Sequence, residues 1–70
     1  MPRVVEYLGY EIVVSGFYVE GAGFWQGVAH ISDEDGAQVH TAQTLARHAE
    51  VEDAERTAEG LARNWIGERR

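Results

Sequence analysis

Apolar and polar residues change their rhythm once along the chain, a little past its middle. From Glu6 to Ser32 the residues are rich in Val, Ile, Tyr, Phe and Trp, with glycines as punctuation, which is strand and turn chemistry. A first strand is predicted over about 7–14, with room to run past a glycine-permitted irregularity at Ser15-Gly16 as far as Val19. Glu20-Gly21-Ala22-Gly23 turns the chain, and a second strand follows over 24–32. Asp33-Glu34-Asp35-Gly36 places Asp first and Gly fourth, as a type I turn prefers. With Gly36 left-handed, the loop becomes a bulged hairpin in which Asp33 faces Ala37. The same register sets Ile31 against Val39, Ala29 against Thr41 and His30 against His40, along a third strand over about 37–43.

From Glu50 onward Val51, Ala54, Ala58, Leu61, Ala62, Trp65 and Ile66 recur at spacings of three and four, the period of an amphipathic helix. A helix over 51–66 is predicted, with Gly67 placed to end it. Glu50, Glu52 and Asp53 fill its first turn, where carboxylates suit the helix dipole, and Glu52 with Arg56 and Glu59 with Arg63 are correctly oriented i,i+4 pairs. No Ser, Thr, Asp or Asn stands at the start as a cap, and Gly60 falls on the solvent side. The stretch from Thr41 to Glu50 reads as the end of a strand to about Gln43 followed by a connector; Leu45 in it could plug the joint between sheet and helix.

The fold class expected is therefore α+β: a three-stranded antiparallel sheet with one C-terminal helix on one face, as a single domain over 1–70. Tyr10, Ile12 and Val14 should join Trp25 and Ile31 beneath the helix, with Trp65 near Trp25. One helix covers one face only. Tyr7, Val13, Phe24, Val28 and Ala42 are left on the other, and Phe17 and Tyr18 add to the apolar excess. Tyr7, Val13, Phe24 and Val28 are the expected interaction face, because a contiguous apolar patch of several hundred square ångströms marks a partner surface.

Composition changes this picture in two places. Seventy residues carry twelve carboxylates, six arginines, no lysine, three histidines and no cysteine, for a formal net charge of −6. A chain of this length buries only about 60% of the surface that its unfolded form exposes, so a homo-oligomeric partner, or another protein, is expected to help it. The acidity argues against nucleic-acid and anionic-membrane surfaces, which need a concentrated positive field. The absence of cysteine excludes disulfide scaffolds, zinc ribbons and thiol nucleophiles. Met1-Pro2-Arg3-Val4-Val5-Glu6 lacks the charge pattern of a signal peptide, and no apolar run approaches the roughly 20 residues that span a bilayer. A cytoplasmic location is expected.

Candidate chemistry is sparse. His30 and His40, facing each other on adjacent strands, could chelate a transition metal, with His48 as a third ligand. The alternative is that they are ordinary exposed strand residues, and no cofactor is expected. Ser15 and Ser32 lie near turns outside any nucleophile-elbow pattern, and Gly21-Ala22-Gly23 precedes a strand rather than a helix, so no phosphate loop is formed. No enzymatic activity is expected.

The run Tyr7-Leu8-Gly9-Tyr10-Glu11-Ile12-Val13-Val14, the later Trp25 and the closing segment from Glu52-Asp53-Ala54-Glu55 to Asn64-Trp65-Ile66 resemble a family of small bacterial proteins of unknown function. Those carry a G-Y-x-I strand, a Trp-bearing second strand, a short hairpin and an E-A-x-x-x-A helix ending in W-I. The resemblance implies a β-β-β-α fold and brings no catalytic or ligand residue. The element order also resembles the C-terminal part of a double-stranded RNA-binding domain, whose last helix starts with lysines that meet phosphate. Here those positions are Glu50, Glu52 and Asp53, so the likeness extends to fold and not to nucleic-acid binding. The expected role is that of a small accessory or interaction protein that self-associates through the uncovered sheet face or a strand edge.

Overall fold

Two residues, Leu8 and Gly9, decide how the sheet begins. Both have positive φ, 49° and 87°, which is the backbone of a two-residue type I′ hairpin turn. A computed structural model describes residues 2–69. In it the segment read as the start of one strand is a hairpin: β1 (Arg3–Tyr7) turns at Leu8-Gly9 into β2 (Tyr10–Val19). The chain continues through β3 (Phe24–Ser32) and β4 (Gln38–Gln43) to α1 (Val51–Gly67). The sheet is an antiparallel meander in the order β1-β2-β3-β4, so the class is α+β with four strands rather than the expected three. Gly67 is the last helical residue, with no left-handed cap.

The hairpin corrects one side of the sheet. Because Tyr7 pairs directly with Tyr10, the two side chains share a face. Tyr7 therefore packs against the core beside Val5 and Tyr10, on the helix side, and not on the open face assigned to it.

A bulge corrects the other side. Gly36 is left-handed and Asp33 N–H donates to Ala37 O at 2.9 Å, as the turn chemistry requires. Ser32 pairs with Gln38, but the next pair is Ile31 with His40, followed by His30 with Thr41 and Ala29 with Ala42. The register slips by one between Ile31 and Ser32, which leaves Val39 as the extra residue. A one-residue slip exchanges the faces of a strand. Here it turns Ala42 and Thr44 inward and keeps Thr41 and Gln43 out; the unshifted register would have driven the long polar Gln43 under the helix.

The core is small and aliphatic. Ile12, Val14, Ala29, Ile31 and Ala42 meet Ala58, Ala62 and Ile66, and the helix's buried seam, Ala54, Ala58, Ala62 and Ile66, runs at strict spacings of four. Leu61, expected in that seam, is 41% exposed at its flank. The seam is narrow because the helix lies almost on the sheet backbone. Gly16 and Gly27 are cross-strand partners in the middle of β2 and β3. A Cβ on Gly27 would stand 2.1 Å from Ala54 O, and one on Gly16 would stand 2.6 Å from Val51 Cγ2. These glycines make a saddle for the helix, and β2 passes through Gly16 unbroken.

The segment after β4 stays attached to β3. Thr44 N–H donates to Gly27 O at 2.9 Å, while Thr44 Oγ1 accepts from Gly27 N–H at 3.0 Å. His48 then exchanges two backbone hydrogen bonds with Trp25. Leu45, Ala46 and Arg47 bow outward between these anchors, and Leu45 is 94% exposed, so it plugs no joint. Trp65 lies at the opposite end of the helix from Trp25: it meets Tyr10 edge-on and stacks on His40 at 4.6 Å, whereas Trp25 meets Tyr18. The predicted Glu59–Arg63 pair forms at 2.9 Å, and the second carboxylate oxygen of Glu59 takes Arg3 of β1 at 3.0 Å, tying the first strand to the helix. Arg56 pairs with Asp53 at 3.0 Å rather than with Glu52.

Candidate interaction surface

Pleat alternation settles which side chains the helix cannot reach. On β1 these are Val4 and Glu6, on β2 Glu11, Val13, Ser15, Phe17 and Val19, on β3 Phe24, Gln26, Val28, His30 and Ser32, and on β4 Thr41 and Gln43. The apolar members form a band. Val4 faces Val13; Val28 is diagonal to Val13; Phe17 lies diagonal to both Val28 and Phe24. Diagonal neighbours on a sheet lie within reach of large side chains. Val13, Phe24 and Val28 are half-buried by their neighbours, while Val4 is 62% exposed and Phe17 is 40% exposed.

Three of the four residues expected on this face are there: Val13, Phe24 and Val28. Tyr7 is not, and Val4 takes its place. Val4 escaped the sequence reading because its strand did; the signal was a glycine second in a two-residue turn, with Val4 and Glu6 alternating against Val5 and Tyr7. Tyr7 lies instead under Arg63, whose guanidinium sits 4.7 Å from its ring centroid.

The polar part of the face lies over β3 and β4 and is internally paired. His30 Nδ1 is 3.2 Å from Thr41 Oγ1, Gln38 Nε2 donates to Thr41 Oγ1 at 2.8 Å, and Gln43 Nε2 donates to Gln26 Oε1 at 3.4 Å. The apolar band is thus displaced toward β1 and β2. At the band's far end Arg47 lays its guanidinium 5.1 Å from the Phe24 ring centroid. At its near end Glu6 and Glu11 are direct cross-strand partners. They open onto an acidic depression of about 340 Å³ lined by Glu6, Gly9, Tyr10, Glu11, Asp33 and Glu34.

The histidines are not brought together. His30 points to the open face and His40 to the helix side, where it lies parallel to Trp65 with 6° between the rings. The bulge at Val39 puts the sheet between the two imidazoles, so the expected chelating pair is not formed. His48 sits in the connector with Nε2 buried and lacking a hydrogen-bond partner. Among the described residues no group of three His, Asp or Glu side chains is placed to hold a metal ion. Glu50, Glu52 and Asp53 are exposed at the helix start. Among the described residues no helix is long and apolar enough to cross a membrane.

The chain matches no known protein family, no curated protein and no solved structure.

Proposed function

We propose that the protein is a small non-catalytic interaction module that associates with a second copy of itself through the open face of its sheet. The observation that carries this reading is the band Val4–Val13–Val28–Phe17–Phe24, set on a domain with only two layers. The molecule measures 38 × 20 × 15 Å, and its core has no aromatic residue among the fully buried ones, the largest of which are Ile12, Ile31, Ile66 and Val14. A two-layer domain of this size gains from covering its second sheet face.

The placement of charge is compatible with a like partner. Most carboxylates lie elsewhere, with Glu52, Asp53, Glu55 and Glu59 on the helix, so two copies can meet through the sheet with their acidic helices turned outward. Of the two sheet edges, β4 is blunted by the Val39 bulge and by the outward bow of residues 45–47, devices that discourage strand addition. Association by edge pairing would therefore fall on β1.

Sedimentation velocity at tens of micromolar tests the reading. A dimer is expected for the wild-type chain, and Phe17→Asp and Phe24→Asp should be folded monomers. A wild-type monomer, or a dimer indifferent to both substitutions, would refute association through this face.

A further inference from the structure

The open face carries opposite charges at its two ends. At one end Glu6 and Glu11 stand directly opposite each other across β1 and β2, an arrangement that destabilises a sheet unless a cation meets it. At the other end Arg47 lies over Phe24. Arg3, Arg56 and Arg63 all form ion pairs, whereas Arg47 forms none among the described residues.

These two ends cannot neutralise each other within one chain. Glu11 and Val19 bound the relevant length of β2, and Val19 pairs with Phe24; eight residues of strand at about 3.3 Å each separate the ends by roughly 26 Å. Exposed charges that far apart are well beyond the screening length of about 8 Å at physiological salt. Between them lies the apolar band, centred near Ser15 and Val28.

Resting on the reading that a second copy covers this face, we infer that the two sheets stack with their strands running in opposite directions, so that the Glu6–Glu11 pair of each protomer meets Arg47 of the other. A two-fold axis lying between the sheets and across the strands makes both contacts in one operation and superposes the two apolar bands. The alternative two-fold, along the strands, brings four carboxylates together and leaves both arginines without partners. Like-charge juxtaposition of that kind is what interfaces use to exclude a wrong register.

The lack of cysteine makes the test direct. Chains carrying Glu11→Cys and chains carrying Arg47→Cys, distinguishable by mass, are mixed and treated with a short bis-maleimide. The mixed product should dominate, and Glu11→Cys alone should crosslink poorly to itself. Arg47→Glu should weaken the wild-type dimer by about tenfold or more, in line with the loss of a close interfacial charge pair. Efficient self-crosslinking of Glu11→Cys, or a dimer unaffected by Arg47→Glu, overturns the orientation while leaving self-association standing. A wild-type chain that sediments as a monomer overturns both, so the two failures are told apart.

Discussion

Replacing Gly27 by alanine adds one methyl group at the place where the structure has least room for it. The new Cβ would lie 2.1 Å from Ala54 O, 2.6 Å from Ala54 C and 3.0 Å from Ala58 Cβ. The first two are helix backbone, which no rotamer change can move. A carbon–oxygen contact settles at on the order of 3.3 Å, so the helix must withdraw by about 1 Å. That withdrawal is felt along the whole seam. A gap of about 0.5–1 Å forfeits a quarter to a half of the dispersion energy of each contact it opens, and Ala58, Ala62 and Ile66 share the same rigid helix. Overpacking by a methylene costs about 1–3 kcal/mol when side chains can adjust, so a rigid backbone places Gly27→Ala near 3 kcal/mol or above. A domain of this length holds about 3.5–10 kcal/mol in total, which makes the loss a third of its stability or more. Thermal unfolding followed by far-ultraviolet circular dichroism should show a midpoint about 12–24 °C lower, or no cooperative transition at all. Gly60→Ala is the control: the same change, made in the helix itself, with nothing within 4 Å of the new methyl group. It should stabilise by about 0.4–1 kcal/mol by restricting the unfolded chain. If Gly27→Ala melts together with the wild type, the close approach of helix and sheet is not what fixes the fold.

Two further substitutions probe the devices that set the sheet. Thr44→Val removes the acceptor of the buried Gly27 N–H, which should cost about 1–3 kcal/mol and speed exchange of that amide, while Thr44→Ser should retain most of both; equal stability of the two variants would refute this role. Leu8→Asn replaces a left-handed leucine, 45% exposed at the hairpin tip, with a residue that tolerates that conformation, and should raise stability by about 1 kcal/mol, or about 4–8 °C in midpoint. A destabilised Leu8→Asn would mean that Leu8 contributes packing that outweighs its strain.

Elements whose signals are local were legible in the sequence. The helix at 51–67, the strand at 24–32 and the left-handed Gly36 follow from periodicity, β-rich composition and turn chemistry, each of which acts over a few residues. The uncovered sheet face followed too, since a single amphipathic helix has one apolar side. Val13 and Val28 are legible because they sit at alternate positions well inside strands, and Phe24 because it keeps the same alternation from the first residue of β3.

Tertiary structure decided what depended on one residue of register. Leucine is a poor type I′ residue, so the turn at Leu8-Gly9 was hidden, and with it β1, Val4 and the true side of Tyr7. The Val39 bulge leaves no mark in a local pattern; it is selected because Ala42 and Thr44 fit beneath the helix and Gln43 does not. That selection places His30 and His40 on opposite faces of the sheet, so the cross-strand pair expected of them is not formed. Gly16 and Gly27 look like strand breakers when each is read alone. Only their pairing across β2 and β3, under a helix of alanines four residues apart, reveals them as the surface on which the helix rests.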